Sequence, residues 1–520
     1  YDSPYQAFDG VVPNTVSAND KLDAIDSTGY KFTYLYEGDK TSVTFTTDKT
    51  DQKNVPPFAQ LTYTIPNWSS AFGLGASALT GGLKVAPIEL FTNTERQSMA
   101  HNDTLTSELS VVKGTSLTVA RDTSLGTLKA IWSKRETDWF DRLDLDGGPF
   151  NIAETARDTD YEADTFELQL SGSTENMDYV IGYYMLEDDA YTSNPQSYFM
   201  GGSAIVQNYS GSGESEAIFG QFSYRFAEDW SVTLGARSTE EDKTGFKEYV
   251  GIISASGEGS FDDTTSTFII EHDFSENTNV YFKVAEGFKA GGFNAESSNP
   301  FAASTPYAPE TIESTELGLK GRYLDNRMML NVAYFDNEHE DMQISYFNAD
   351  AAAASEVINN SASISGLEIE SMTMLNDSTV LTLNFSTLDS EFTGNKTAQD
   401  GFLLENIPYS PEKTLYASLE KDFGAYRVRL DHTRVDEHPS FPYNSKDFRA
   451  VLTNIDSNAK TDLLVLTEPM ENLQLNFWVR NLTNEYHQSS AISFGPGFGY
   501  LTVGYFDAPR TFGMDLHYSF

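Results

Sequence analysis

Acidic residues and histidines are the side chains in this sequence that are best suited to bind metal ions or to transfer protons. The sequence Asp144-Leu-Asp146-Gly147 resembles part of a calcium-binding loop, in which carboxylates alternate along the chain before a glycine turn. An EF-hand is excluded, because Ala153 stands where its bidentate glutamate belongs. A looser calcium site at Asp144 and Asp146, in a loop, is an alternative prediction.

The histidines are scattered, with no His-x-x-x-His pair and no glutamate at metal-binding spacing. We therefore predict no metal centre among them, and His339, which has acidic neighbours on both sides, is the best of the weak candidates. No Ser/His/Asp set with a nucleophile elbow is present, and paired carboxylates are not diagnostic among 77 acidic residues. The sequence thus predicts neither an enzyme nor a bound cofactor.

The charge balance limits the partners of this protein. The 34 Lys and Arg residues against 77 Asp and Glu residues give a net charge of -43, which argues against binding to nucleic acid or anionic lipid. A cationic or metal-bearing ligand is permitted, although acidic loops are usually explained by their solubility. The chain has no cysteine, which excludes disulfides and thiolate metal sites. We expect any signal peptide to have been removed before Tyr1.

The elements that carry these residues are predicted to be β-strands, because apolar and polar residues alternate. At the C-terminal end, the apolar residues of this pattern are Phe512, Met514, Leu516, Tyr518 and Phe520. The same alternation is found over residues 218–226, 280–284, 328–334, 381–385 and 473–479. Helical periodicity is weak, and no apolar segment reaches the ~18 residues of a transmembrane helix. The fold is therefore predicted to be all-β.

The lengths of the connections indicate the kind of β fold. Short polar turns are predicted near residues 38–40, 66–70, 122–125, 174–176, 227–229, 274–277, 324–326, 375–378, 422–425 and 468–472. Long connections are predicted near residues 49–57, 89–104, 136–163, 190–214, 240–262, 289–311, 347–362, 389–411, 436–459 and 487–509. Strict alternation of the two is typical of a transmembrane antiparallel β-barrel with short periplasmic turns and long extracellular loops.

Counting between these connections gives about twenty-one strands, and bacterial single-chain barrels have even numbers. We therefore predict about 22 strands, with one hidden in the poorly patterned residues 1–27 or upstream of Tyr1. The Gly- and Ala-rich segment from Ala71 to Pro87 is the weakest strand in this count.

Several motifs follow one another in the later part of the chain. They are Tyr281-Phe-Lys-Val-Ala-Glu-Gly-Phe-Lys-Ala-Gly-Gly-Phe-Asn294, Ala308-Pro-Glu310, Glu316-Leu-Gly-Leu-Lys320, the segment from Asn360 to Glu370, Ile407-Pro-Tyr-Ser-Pro-Glu412, Asn481-Leu-Thr-Asn-Glu-Tyr486 and Pro509-Arg-Thr-Phe-Gly513. In order and spacing they resemble the barrel of TonB-dependent outer-membrane receptors, over about residues 163–520. A complete receptor of this family also carries an N-terminal plug and an energy-coupling box, and neither is recognisable. Residues 1–520 are therefore predicted to be one barrel domain.

The resemblance implies an active-transport receptor in the outer membrane that imports a scarce nutrient. Its commonest cargo is a ferric siderophore or similar metal chelate, with cobalamin, haem or oligosaccharide as rivals. The implied partners are outer-membrane lipid, the barrel assembly machinery, a small nutrient ligand, and the TonB energy-coupling protein through an N-terminal region missing from this sequence. The alternatives are a plugless diffusion pore or scaffold barrel for attachment, and a soluble secreted carbohydrate-binding β-protein.

Two sets of residues are predicted to serve these functions. Aromatic residues in the long connections are expected to contact the ligand; they are Tyr198, Phe199, Phe293, Phe301, Tyr346, Phe347, Phe441, Tyr443, Phe494 and Phe498. The alternating residues Leu516, Tyr518 and Phe520 at the C terminus resemble the signal that the outer-membrane assembly machinery reads.

Overall fold

A computed structural model describes residues 22, 24–71, 87–199, 203–297, 299, 301–348, 354–394 and 404–519, with the backbone alone at residues 203, 347, 348 and 354. Part of the poorly patterned segment 1–27, most of the segment from Ala71 to Pro87, and Phe520 therefore lie outside the described residues. No helix among the described residues is long and apolar enough to span a membrane.

Nearly all regular structure in the described residues is β-strand. The strands are β1 (Ser27–Glu37), β2 (Thr41–Asn54), β3 (Gln60–Tyr63), β4 (Ser107–Thr123), β5 (Gly126–Asp144), β6 (Ala153–Ser173), β7 (Met177–Tyr198), β8 (Ser203–Ala227), β9 (Trp230–Tyr249), β10 (Ile253–Ser275), β11 (Thr278–Lys289), β12 (Glu310–Tyr323), β13 (Met328–Asn348), β14 (Ala354–Asn376), β15 (Thr379–Phe392), β16 (Lys413–Asp422), β17 (Arg427–Val435), β18 (His438–Pro439), β19 (Asn454–Ile455), β20 (Asn458–Met470), β21 (Leu473–Arg480), β22 (Gln488–Ser493), β23 (Thr502–Phe506) and β24 (Thr511–Tyr518). The helices are α1 (Trp68–Ala71) and α2 (Phe448–Leu452), with 3-10 turns at Ile88–Phe91, Ala302–Ser304 and Pro496–Phe498.

One antiparallel sheet contains 19 of the strands. Each strand pairs with the next in the order β1, β2, β4 to β17, β20, β21 and β24. Tight turns join the strands at one end of this sheet, and the longer connections lie at the other end. The all-β prediction is confirmed. The predicted tight turns other than 66–70 recur at one end of the sheet, whereas the connections at the other end range from residues 250–252 to residues 55–106. Because 19 is odd, β1 and β24 run in the same direction, so closure into a fully antiparallel barrel requires an odd number of further strands.

The outward face of the sheet carries a belt of exposed apolar side chains. Phe222, Leu234 and Phe268 are direct cross-strand neighbours on three consecutive strands, and each is at least 38% exposed. On β24, the alternating residues Phe512, Met514, Leu516 and Tyr518 are also exposed. Such a continuous apolar row is typical of the lipid-facing surface of a membrane barrel, in which the alternation is apolar outside and polar inside.

The outward face becomes acidic on the side of the long connections. Glu187, Glu214 and Asp242 form one cross-strand row on β7, β8 and β9. This row lies on the same face as Phe222 and eight residues farther along β8, which corresponds to about 27 Å. Beyond the apolar belt, the outer wall of these three strands therefore carries a row of acidic side chains.

One predicted strand, the segment before the predicted turn at 66–70, is not part of the large sheet of the described residues. The predicted turn at 66–70 lies in the connection between β2 and β4, where it forms α1. The segment before it supplies only β3, which pairs with β23 in a separate sheet of three strands. Prolines at positions 56, 57 and 66 flank β3 and lack the N–H that a central strand donates.

Five of the predicted long connections are mostly strand, and one of them, 49–57, lies largely in β2. The residues between paired strands are only 145–152, 199–202, 250–252 and 349–353, where 136–163, 190–214, 240–262 and 347–362 had been predicted. The prediction of long loops was wrong here because it relied on the polar composition of these segments. Backbone hydrogen bonds between strands form with polar as well as apolar side chains, so the pairing continues beyond the apolar belt. The strands therefore extend well past the apolar belt.

Candidate functional site

The long connections pack together into an apolar core of their own, which we call the loop core. It unites the connections 55–106, 145–152 and 481–510 with the end of β7. Its buried members are Ala59, Leu61, Trp68, Ile88, Ile152, Ala153, Tyr198, Phe494, Phe498, Leu501 and Val503. The indole Nε1 of Trp68 donates to the carbonyl oxygen of Phe498 over 2.6 Å, which joins two connections that are 430 residues apart. These connections therefore form an ordered layer over one end of the sheet.

Asp144 and Asp146 hold the turn between β5 and β6. One oxygen of Asp144 accepts the backbone N–H groups of Asp146 and Gly147, at 3.1 and 2.8 Å. Asp146 is fully buried, and one of its oxygens accepts the N–H groups of Ile152 and Ala153, both at 2.9 Å. Burial, together with the nearby carboxylate of Asp103, raises the pKa of Asp144 to about 7.

This geometry gives the Asp-x-Asp-Gly sequence a structural role. The carboxylates face backbone N–H donors, which they satisfy in a buried turn. Among the described residues, no group of three or more His, Asp or Glu side chains is placed to hold a metal ion. His339 is paired instead with Glu310, at 3.1 Å between Nδ1 and Oε1. The calcium site at Asp144 and Asp146 has no support in this arrangement.

The connection between β11 and β12, residues 290–309, is the inner loop. Its Phe293 packs on the inward face of the sheet, where Gly245 and Gly257 leave room for the ring. A Cβ atom at Gly245 would lie 2.5 Å from Cγ of Phe293, and a Cβ atom at Gly257 would lie 2.7 Å from the same ring. The glycines thus form a recess for the inner loop, which rests inside the barrel wall.

A buried lysine fixes the inner loop in this recess. Lys247 is 1% exposed, and its Nζ donates to the carbonyl oxygens of Ala295, at 2.7 Å, and Ser297. Burial lowers the pKa of Lys247 to about 8, against the opposing effect of Glu296 and Glu356. The ammonium group therefore caps loop carbonyls rather than facing solvent.

Amide side chains tie the inner loop to β13 and β14. Asn294 exchanges hydrogen bonds with the backbone of Val357, at 2.8 and 2.7 Å, as a neighbouring strand would. Asn359 does the same with the backbone of Ala308, at 2.8 and 2.9 Å. Burial favours the neutral form of Glu310, but hydrogen bonds from His339 and Gln343 outweigh it and hold the pKa of Glu310 below its ordinary value. The motif residues of the sequence therefore position the inner loop.

Five of the ten predicted ligand-contact aromatics are buried in this structure, namely Tyr198, Tyr346, Tyr443, Phe494 and Phe498. Tyr198, Phe494 and Phe498 belong to the loop core, and Phe199 stacks on Phe498 with ring centroids 5.3 Å apart. Tyr346 is fully buried and donates to Glu356 over 2.8 Å. Phe293 lies in its recess, and Tyr443 is buried against Phe441 and Arg449. Phe301 is 60% exposed, and the side chain of Phe347 lies outside the described residues.

The structure also brings together three aromatic side chains that the sequence does not single out. Tyr63, Phe448 and Tyr500 come from three different connections, and we call them the aromatic cluster. Phe448 contacts both tyrosines edge to face, with ring centroids 5.4 Å apart in each pair. Phe448 is 42% exposed and the two tyrosines are half-buried, so the cluster presents an accessible aromatic surface. No sequence pattern predicts it, because its members lie in separate connections, with Tyr63 hundreds of residues before the other two.

Comparison of this chain with known protein families identifies its family. A family model described as TonB dependent receptor-like, beta-barrel, matches residues 90–482, which is well over half of the chain. The chain belongs to this family. TonB-dependent receptors are outer-membrane transporters and not enzymes, in agreement with the sequence prediction. Nutrient import across the outer membrane is therefore the general function of this TonB-dependent receptor barrel.

Solved structures agree with the family assignment at the level of the fold. The ferric yersiniabactin uptake receptor FyuA from Yersinia pestis is similar with a TM-score of 0.78 at 16% identity, over 99% of this chain and 74% of that one. The ferric-catecholate import receptor Fiu from K12 E. coli gives 0.69 at 14% identity, over 96% and 76% of the two chains. The copper transporter OprC gives 0.70 at 13% identity, over 97% and 74%.

Proposed function

We propose that this receptor imports a ferric siderophore or a similar metal chelate, in a step energised by TonB. The observation that supports this cargo most directly is the likeness to FyuA and Fiu, whose names state uptake of ferric chelates. Membership of the family supports the proposal of TonB coupling.

The aromatic cluster is the surface on which we place the first contact with the chelate. Tyr63, Phe448 and Tyr500 offer ring faces and edges of the kind that pack against flat organic ligands. The two tyrosines also carry hydroxyl groups, which are able to hydrogen bond to polar atoms of a chelate. Phe301, as the exposed member of the sequence-predicted set, is proposed as a further contact.

Uptake of radiolabelled iron in an outer-membrane receptor-deficient strain tests the proposal. The receptor is expected to restore accumulation of at least one ferric chelate, among catecholate, phenolate and carboxylate classes, and to lose it when TonB is deleted. Replacing Phe448 by Ala is expected to weaken binding by about tenfold, the effect of losing ~1.4 kcal/mol of aromatic contact. Tyr426→Ala, which removes an equally exposed aromatic side chain beside a tight turn, is the matched control.

Copper is the second candidate cargo, because OprC is named a copper transporter. Copper accumulation measured in the same strains separates the two proposals. Restored copper uptake without iron uptake would replace the siderophore assignment and leave nutrient import intact. Passage of unrelated small solutes without TonB would instead support the diffusion pore.

The outer-membrane lipid and the assembly machinery are proposed as the other partners. The outward residues Met514, Leu516 and Tyr518 of β24 are between 47% and 61% exposed and continue the apolar belt. Replacing Leu516 by Asp is expected to reduce the amount of folded receptor in the outer membrane, because a charge there meets hydrocarbon. Unchanged membrane abundance would remove the assembly role of this strand.

A further inference from the structure

The pair of strands β11 and β12 is shorter than its neighbours in the wall of the barrel. β11 ends at Lys289 and β12 begins at Glu310, whereas β10 extends to Ile253 and β13 extends to Asn348. The strand register places these ends of β10 and β13 well beyond the paired ends of β11 and β12, on the side of the long connections. The edge of the wall is therefore lower at this pair, and the inner loop of residues 290–309 begins and ends there.

The base of the inner loop is fixed. Gly292 and Tyr307 exchange backbone hydrogen bonds across it, at 3.4 and 2.8 Å. The next residue, Ala308, is held by the side chain of Asn359 at 2.8 and 2.9 Å. A Cβ atom at Gly291 would lie 2.3 Å from the carbonyl oxygen of Tyr307, so a glycine is needed for this close approach. The residues between the two sides of the base can therefore move about a fixed point.

Residues 293–297 of the inner loop, which we call the strap, are attached to β9 at one side. The ring of Phe293 lies in the recess at Gly245. The ammonium group of Lys247 donates to the carbonyl oxygen of Ala295 over 2.7 Å. Gly245 and Lys247 are two residues apart on one face of the strand, so both contacts belong to one short stretch of the inner wall.

The other side of the strap is attached to β14. Asn294 exchanges hydrogen bonds with the backbone of Val357, at 2.8 and 2.7 Å. The hydroxyl of Ser297 donates to the carboxylate of Glu356, which also accepts the hydroxyl of Tyr346 over 2.8 Å. Ser297 is fully buried and Glu356 is 1% exposed. The strap thus ties β9 to β14, with the strands β10 to β13 between them.

The attachments of the strap are of a kind that water can replace. A hydrogen bond within a protein forms at the expense of hydrogen bonds to water, so its net contribution is modest where water is able to enter. Lys247 and Glu356 regain hydration when the strap lifts, which offsets the bonds that they lose. The loop core differs, because its opening would expose apolar side chains to water. The strap is therefore expected to open more readily than the loop core.

We propose that the strap is a gate in the lumen of this receptor. It turns about the base of the inner loop, and it must leave β9 and β14 before an imported molecule passes. In the open position, Lys247 and Glu356 face a water-filled passage along the inner wall. The proposal rests on nutrient import, the general function of this receptor, and on no particular cargo.

Hydrogen exchange of the purified full-length receptor measures this opening without cargo. The amides of Ala295 and Ser297 are hydrogen-bonded within the strap, at 3.0 and 3.3 Å, and the amide of Phe494 is hydrogen-bonded within the loop core, at 2.9 Å. After correction for intrinsic rates, the two strap amides are expected to exchange about tenfold faster than that of Phe494, which corresponds to ~1.4 kcal/mol in opening free energy. Equal protection of the three amides would overturn the proposal.

Glu356→Gln tests whether the attachment to β14 limits the opening. The neutral amide is a weaker acceptor than the carboxylate for the hydroxyl of Ser297, so exchange at Ala295 and Ser297 is expected to accelerate about tenfold. Glu240→Gln, at an exposed position on β9, removes the same charge away from the strap and is expected to leave this exchange unchanged. An equal effect of the two variants on the strap amides would contradict the attachment, and unchanged protection at Phe494 shows that the loop core is intact.

A reversible lock tests whether the strap must open for import. A Cβ atom at Gly245 lies 2.7 Å from Cβ of Phe293, so a disulfide in Gly245→Cys with Phe293→Cys needs a shift of only ~1 Å to reach the usual Cβ separation. Oxidised cells are expected to bind radiolabelled ferric chelates of the catecholate, phenolate and carboxylate classes as the unmodified receptor does, and to accumulate about tenfold less iron. Reduction is expected to restore uptake. Leu475→Cys with Leu516→Cys, which joins two neighbouring wall strands, is the control and is expected to import in both states.

The outcomes separate the gate from the choice of cargo. Equal uptake by the oxidised and reduced lock would overturn the gate. Loss of chelate binding in the oxidised lock would also overturn it, because the strap would then belong to the binding site. Failure of the unmodified receptor to import any ferric chelate would remove the siderophore proposal alone, because hydrogen exchange measures the opening without cargo and the lock is then tested by copper uptake.

Discussion

At the scale of single residues, buried ionisable side chains in this receptor act on the backbone of its loops. Asp146 accepts N–H groups across the β5–β6 turn, and Lys247 donates to carbonyl oxygens of the inner loop. Both are fully buried, where a polar group without hydrogen-bond partners would be costly and one with partners fixes the local geometry. Ion and ligand chemistry is therefore not needed to account for either side chain.

The pKa of Asp144 predicts that its turn weakens as the pH rises. An unfolded aspartate titrates near ~3.9, whereas the folded turn holds the pKa of Asp144 at about 7. The native turn thus binds the proton more tightly, so its stability is complete below the lower value and falls as the pH rises through the higher one. Hydrogen exchange of amides 145–153, corrected for intrinsic rates, is expected to show weaker protection at pH 8 than at pH 5.5.

Asp144→Asn separates this effect from general changes in the loops. The amide keeps an acceptor oxygen without a charge, so protection is expected to depend less on pH than in the unmodified receptor. Asp138→Asn, on the outward face of the same strand, is the control and should leave the pH dependence unchanged. A pH response that is the same in Asp144→Asn and in the unmodified receptor would contradict the role of Asp144.

At the scale of elements, glycines decide where the inner loop lies. Gly245→Ala places a methyl group 2.5 Å from Cγ of Phe293, and overpacking of this kind costs about 1–3 kcal/mol. We expect hydrogen exchange of amides 290–309 to accelerate by about tenfold, since ~1.4 kcal/mol corresponds to that factor. Gly220→Ala is the control, because its new methyl group would have only ordinary contacts from 3.6 Å. Unchanged exchange in Gly245→Ala would mean that the ring is not held in this recess.

The elements also show which parts of this receptor are predictable from sequence. Period-two alternation identifies outward strand faces correctly, as the exposure of Phe512, Met514 and Leu516 shows, because it records the local environment of each residue. Strand ends beyond the apolar belt are not predictable in this way, because their side chains are polar on both faces. The aromatic cluster of Tyr63, Phe448 and Tyr500 depends on how three distant connections fold over one another, and no local pattern encodes that.

At the scale of the whole molecule, the net charge of -43 makes repulsion between acidic side chains a general cost, and one row of like charges lies on the outer wall. Glu214 lies between Glu187 and Asp242 in one such row, where direct cross-strand neighbours repel. Salt shortens the Debye length from about 30 Å at 0.01 M to about 8 Å at 0.15 M. The thermal unfolding temperature is therefore expected to rise over this range of salt.

Glu214→Gln tests the origin of that salt dependence. Removing the central charge of the row is expected to stabilise the receptor at low salt by about 0.5–1 kcal/mol and to reduce the gain on adding salt. Glu37→Gln, at an exposed position beside a tight turn, removes the same charge away from the row. If salt raises the unfolding temperature of both variants by the same amount, then the net charge of the protein, and not the row around Glu214, causes the salt dependence.

The odd number of strands in the described sheet leads to a prediction about how the barrel closes. β1 and β24 end the described sheet and run in the same direction, so their direct pairing would be parallel. An odd number of strands must separate them in an antiparallel barrel, and three would give the 22 predicted from the alternation of connections. Three intervening strands place β1 and β24 about 19 Å apart, far beyond the ~7 Å limit for a disulfide.

Because the chain has no cysteine, pairs of introduced cysteines report the distance between β1 and β24 without competing native thiols. Tyr34→Cys with Leu516→Cys, both on the outward face, is expected to form no disulfide in outer membranes. Leu475→Cys with Leu516→Cys joins direct cross-strand partners and serves as the positive control. A cross-linker of about 10 Å then distinguishes one intervening strand, which it spans, from three, which it does not. An efficient disulfide between β1 and β24 would mean that the barrel closes through a parallel pair.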